Sequence, residues 1–357
     1  MYDLQNVRYT ESRSKMERLM AGSEDTVRLA MVSESYGNLL LMQKDWKSLG
    51  AFLSNQRNSE PGDETMLNLV RAFSQMPLEK ISFSGDSSSI RVKRRYGSGN
   101  PFITVTVGKK RARGVFDTGA GITVVSESFA RRHGIAWKEN VRAFATSASD
   151  KKVHFWPACI PLMKIGPVIV RNHPVGVMPD KQLEFRVFGV RLVRYDLVIG
   201  WPLIQELAVE IRYSKNQMII SDPDKSIGQA SNMFWYNTPM VKAEEVNTAK
   251  RLYFELDLGG NESTIYEDIF KFLSDTAGTK VQEKEFGGAG GFTAYRCYTL
   301  PSLKITLQQK VLEFKDIRTR PKSALYKNLR PAGVLGSGIG EDHVIYLNPR
   351  RGEFELR

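Results

Sequence analysis

The chain has 357 residues, of which 41% are hydrophobic and 25% charged, the balance of a globular protein with two or three domains and an ample core. No apolar run reaches the roughly 20 residues that a membrane-crossing helix needs, so no membrane span is expected. The net charge of +12 is concentrated at Lys93–Arg95, Lys109–Arg111, Arg113 and Arg318–Lys322. These runs fall on predicted hairpins without interleaved aromatics, so they read as a solvated basic face and no nucleic-acid partner is expected. Cys159 and Cys297 are too few for a zinc site, and His133, His154, His173 and His343 show no ligand spacing, so neither a metal nor an organic cofactor is implied. The two cysteines read as small buried hydrophobes in comparable strands.

In chain order, Met1–Arg8 is polar and shows no secretory signal. Val27, Leu29, Ala30, Val32, Tyr36, Leu39 and Leu40 keep helical spacing over Thr26–Met42. Trp46, Leu49, Phe52 and Leu53 make a second helix. Asp63–Phe73 makes a third, with Asp63 as its N-cap. Residues 1–78 therefore form a helical domain, weakly similar to a tetratricopeptide hairpin. It serves as a cap on the neighbouring domain of the chain, as a docking module for a protein partner, or as a cover for a cleft.

Ile90–Val92 adds a strand, and Pro101–Val107 alternates as another. Gly108–Lys110 turns the chain, and Gly114–Phe116 delivers Asp117 into the turn Asp117-Thr118-Gly119-Ala120. A stiff strand end opening into a Gly-rich turn, with a β-branched run after it, presents a carboxylate on a buried backbone. Much of this pattern recurs 140 residues downstream. Leu256-Asp257-Leu258-Gly259-Gly260 aligns with Phe116–Ala120, Ser263–Phe270 with Thr123–Ala130, and Pro301–Ile305 with Pro161–Ile165. Asp196–Ile204 parallels Ala332–Gly340 after a short deletion, which accounts for the Gly336–Gly340 run without a phosphate loop. The polar stretch Ser221–Ser226 separates the halves, giving 79–225 and 226–357 as two similar domains.

At these residues the chain resembles the retropepsin-like aspartic proteases, in particular bacterial ones with two such lobes in one polypeptide. The resemblance covers roughly residues 97–357 and implies a mainly β fold: two pseudo-symmetric acid-protease lobes behind the small α-helical N-terminal domain. It implies an aspartic endopeptidase with catalytic Asp117 and Asp257, and a peptide or protein substrate bound extended in the cleft. Thr118, Gly119 and Ala120 support the first turn, and Gly259 and Gly260 the second. Hairpins 143–156 and 285–296 are the flap candidates, with the second tip made mobile by Gly287–Gly291. It also implies a periplasmic, cell-envelope or secreted location. Two carboxyls about 3 Å apart share a proton, which favours activity at acid to mildly acid pH. Leu258 departs from the pattern, because it replaces the hydroxyl residue that locks the two turns together. Three readings stay open: a working asymmetric pair, a peptide-binding scaffold that has lost its chemistry, and a homodimer pairing two Asp117 copies.

Overall fold

The computed structural model describes residues 7–55, 63–94, 99–187, 190–226, 228, 231–270, 273, 276–321 and 329–357. Arg95 and Lys322 of the basic runs, residues 1–6 of the polar start, and the Asp63 side chain expected as a cap lie outside them.

The helices are α1 (Tyr9–Gly22), α2 (Thr26–Met42), α3 (Trp46–Asn55) and α4 (Asp63–Ser74). The last three fall where the apolar spacing predicts. Helix α2 starts at Asp25, whose carboxylate accepts from the amides of Val27 and Arg28 and so satisfies two otherwise unpaired donors. Helix α1 has no counterpart in the sequence reading, because it buries little beyond Met16 and its apolar positions are too few to set a period.

These helices do not simply cap the first lobe. Met16, Tyr36, Leu39, Leu40, Leu49 and Val70 form one core with Phe234, Tyr236 and Met240, which belong to the second half of the chain. Leu69 and Phe73 of α4 join another core with Ala143, Val153 and Phe155 of the first hairpin. The helical region therefore packs on both halves.

The halves have matching sheets. In the first, the strands run in the order Ser87–Arg94, Pro101–Val107, Lys110–Phe116, Leu197–Ile199, Val124–Ser126, Val168–Met178, Lys152–Ile165 and Ala143–Thr146. In the second they run Met233–Tyr236, Thr238–Glu245, Arg251–Asp257, Gly333–Gly336, Thr264–Tyr266, Lys310–Arg320, Gly291–Leu307 and Lys280–Gly288. In each, a strand from far downstream is threaded between the two strands that flank an Asp turn. Pro101–Val107 shows how sequence sets this local structure, since its buried positions alternate residue by residue as a pleated strand requires.

Four further strands join the halves. Ala208–Arg212 pairs antiparallel with Ile345–Asn348, placing Val209 opposite Leu347 and Ile211 opposite Ile345. Gln217–Ser221 and Glu353–Leu356 extend this sheet on either side. All four residues of the central pairs are buried, so both lobes and the joint between them share one continuous core.

Because Leu40 is fully buried between the helices and the second half, Leu40→Ala is expected to cost about 2–5 kcal/mol. Urea unfolding followed by tryptophan fluorescence should show one transition at lower denaturant. A separate early transition of the helices alone would contradict the shared core.

Candidate active site

Asp117 follows the last residue of Lys110–Phe116, and Asp257 is the last residue of Arg251–Asp257. The threaded strands hold both positions. Val198 and Ile199 pair in parallel with Val115 and Phe116, while Leu335 and Gly336 pair in parallel with Leu256 and Asp257. The amide of Asp117 donates to the carbonyl of Ile199 at 3.0 Å. Its carboxyl Oδ1 accepts from the amides of Gly119 at 2.9 Å and Ala120 at 3.2 Å. Asp257 Oδ1 accepts from the amide of Gly260 at 3.2 Å. Each turn thus aims its carboxyl with backbone donors.

The two carboxyls meet. A Cβ on Gly119 would lie 2.6 Å from Cγ of Asp257, and one on Gly259 would overlap the carboxyl of Asp117. Only glycine allows each carboxyl to rest against the opposite turn. Burial pushes the Asp117 carboxyl well above the ordinary carboxylate range, and the charge and hydrogen bond of Asp257 push it the same way. The amides of Gly119 and Ala120 offset part of this. A hydrogen bond between two carboxyls requires a proton on one of them, in keeping with the raised value of Asp117.

Thr118 ties the turns together. Its fully buried hydroxyl donates to the carbonyl of Leu256 at 2.6 Å and accepts from the amide of Leu258 at 2.8 Å. Leu258 offers no mirror-image pair. Its side chain is fully buried in the main core instead. Burying a leucine side chain gains about 1.5–3 kcal/mol, whereas a hydrogen bond contributes about 0.5–1.5 kcal/mol net. Packing can therefore offset the lost half of the lock.

Sequence reasoning missed several groups around this centre. The Asn100 amide donates to the carbonyl of Gly259 and accepts from the Tyr195 hydroxyl at 3.0 Å. Arg94 reaches across to the side chain of Asn261 and, at 3.0 Å, to Glu341. No motif marks these residues, because their roles depend on the second half of the chain arriving beside them. The two hairpins read as flaps also meet. Thr293 donates to the carbonyl of Ser149 at 2.6 Å, the Tyr295 hydroxyl donates to Asp150 at 2.5 Å, and Arg320 donates to the carbonyl of Ala148 at 3.0 Å. The Gly290 amide bonds back to the carbonyl of Gln182 at 2.8 Å. Arg320 also lies 5.8 Å over the ring of Tyr266, linking the hairpins to the strand after the Asp257 turn.

Residues 103–194 match the family model of the gag-polyprotein putative aspartyl protease. Over that stretch the chain is similar to retropepsin-like aspartyl proteases. The match includes Asp117 and Thr118 and ends before Asp257, and it supports a protease in general. No curated protein matches the chain significantly. Among the described residues, no helix of this aspartyl protease-like chain is long and apolar enough to cross a membrane.

Thr118→Val would strand a buried amide and a buried carbonyl. It is expected to destabilise the chain by at least about 2 kcal/mol, measured by chemical denaturation. A change within about 0.5 kcal/mol, the usual range for neutral surface substitutions, would show that the hydroxyl does not join the turns.

Proposed function

We propose that the chain is an aspartic endopeptidase whose water is activated by Asp117 and Asp257 together. The observation that carries this reading is the contact of the two carboxyls, each resting on the glycine of the other's turn. A substrate peptide lies extended between the lobes. One ionised carboxyl takes a proton from water as the oxygen attacks the scissile carbonyl, and the protonated carboxyl hydrogen-bonds the developing oxyanion. The protonated carboxyl then passes its proton to that oxygen, giving a neutral tetrahedral diol. As the diol collapses and the C–N bond breaks, one carboxyl gives a proton to the leaving amine and the other takes a proton from a diol hydroxyl. The pair returns to its one-proton state.

In this reading 79–225 and 226–357 are the two lobes of a bacterial-type single-chain protease, and 1–78 is the helical domain that supports them. Leu258 gives substance to the second reading, a scaffold that binds peptides without cutting them. The shared sheet of Ala208–Arg212 and Ile345–Asn348 favours a pair completed within one chain over a pair made between two copies.

Cleavage of a diverse peptide mixture between pH 3 and 7, read by mass spectrometry, tests this. The one-proton state persists upward because the Asp117 carboxyl is held above its ordinary value. Activity should therefore extend from acid into mildly acid pH and fall as pH rises through that raised value. Asp117→Asn and Asp257→Asn should each lower it by roughly a thousandfold or more. Full activity in Asp257→Asn, or peptide binding without cleavage at any pH, would overturn the proposal.

A further inference from the structure

Behind the Asp117 turn lies a line of buried polar groups that the proposed chemistry does not use. Thr123 is fully buried, and its hydroxyl oxygen accepts from the amide of Gly200 at 3.1 Å. The same oxygen lies 2.8 Å from Nε2 of His173, itself fully buried in the strand Val168–Met178. Nδ1 of His173 is bonded to the carboxylate of Glu79. The other oxygen of Glu79 takes a 2.6 Å bond from Lys44, which stands in the connection between α2 and α3 and lies 3.4 Å from Glu206. Burial alone would push Glu79 up, but the hydrogen bond from His173 and the bond and charge of Lys44 outweigh it and hold the carboxyl below its ordinary value.

Donor arithmetic fixes the direction of these bonds. Glu79 is ionised, so Nδ1 of His173 is the donor there. The Gly200 amide can only donate, so one lone pair of Thr123 is taken. The Thr123 hydroxyl hydrogen then has Nε2 of His173 as its acceptor, and every group in the line is satisfied. The tautomer is assigned from this network.

The line ends on backbone with no slack. A Cβ on Gly200 would lie 2.6 Å from the carbonyl of Ile122 and 2.7 Å from that of Ala120. Trp201 donates to the same Ala120 carbonyl at 2.8 Å, and the Ala120 amide in turn holds Asp117. The second lobe repeats only the last link, with Ser263 accepting from the amide of Gly336 at 3.1 Å.

We propose that His173 is a positioning residue for Asp117, acting through Thr123 and Gly200, and that Glu79 and Lys44 make the helical region part of that support. The activity arm rests on the protease reading above; the amide arm does not. His173→Leu should lower kcat by roughly ten- to a hundredfold with KM unchanged, and should speed hydrogen exchange of the Gly200 amide. His173→Gln, which can accept from Thr123 and donate to Glu79, should restore most of both. Lys44→Met, at the outer end of the line, should give a smaller change of the same sign once kcat is referred to the folded fraction measured by circular dichroism.

Unchanged kcat and unchanged Gly200 exchange in His173→Leu would overturn the proposal. So would a loss of activity that only tracks the folded fraction and that His173→Gln does not rescue. If the unaltered protein cuts no peptide, the protease reading fails, and Gly200 exchange in His173→Gln and Lys44→Met still decides this one. Exchange equal to that of the unaltered protein in both Lys44→Met and His173→Leu would refute it there, and protection kept by His173→Gln but weakened by Lys44→Met would support it.

Discussion

Two carboxyls pressed together behind one threonine hydroxyl are the constraint on which this structure depends. Desolvating a pair of like-charged groups is costly, and the cost is met locally. Backbone amides of Gly119, Ala120 and Gly260 take the carboxyl oxygens. The hydroxyl of Thr118 bridges the backbones on either side of Asp257. The glycines remove the Cβ atoms that would hold the carboxyls apart. Each strand threaded between the flanks of an Asp turn fixes where the carboxyl points, and the sheet shared by the two chain halves keeps the turns opposed.

The two halves solve the same problem differently. The first has the hydroxyl, a second buried hydroxyl at Thr123 and the His173–Glu79–Lys44 line behind it. The second substitutes leucine packing at 258 and a lone serine at 263. Polar support is therefore concentrated in the first half, where Lys44 of the helical region ends the line. Apolar packing carries the other side, where the helices contribute a hydrophobic contact with Phe234, Tyr236 and Met240.

Much of this was legible in the sequence, because the signals are local. Alternation marks Pro101–Val107, helical spacing marks α2 to α4, and the Asp-Thr-Gly turn with its displaced partner at Asp257 marks the centre. The same local reading found the apolar-Gly turns at Gly200 and Gly336, which end the threaded strands. Helix α1 was silent because its buried face is too narrow to set a period. Asn100, Arg94 and Arg320 were silent for another reason: their partners are distant in sequence, and nothing near them distinguishes a bridging side chain from a solvated one. In sequence His173 is an isolated histidine with no ligand spacing; only the fold shows what its two nitrogens face. The helices look there like a cap on one lobe, since sequence does not say that Leu40 and Phe234 share a core.

The most direct measurement of the central claim is a titration of the Asp117 and Asp257 carboxyl carbons by NMR, in the unaltered chain and in Asp257→Asn. A shared proton predicts that the Asp117 signal titrates well above the ordinary 3.8. It also predicts that the midpoint falls when the neighbouring charge is removed, by an amount that leaves the effect of burial in place. Two carboxyls titrating independently in the ordinary range, with Asp117 indifferent to Asp257→Asn, would contradict it.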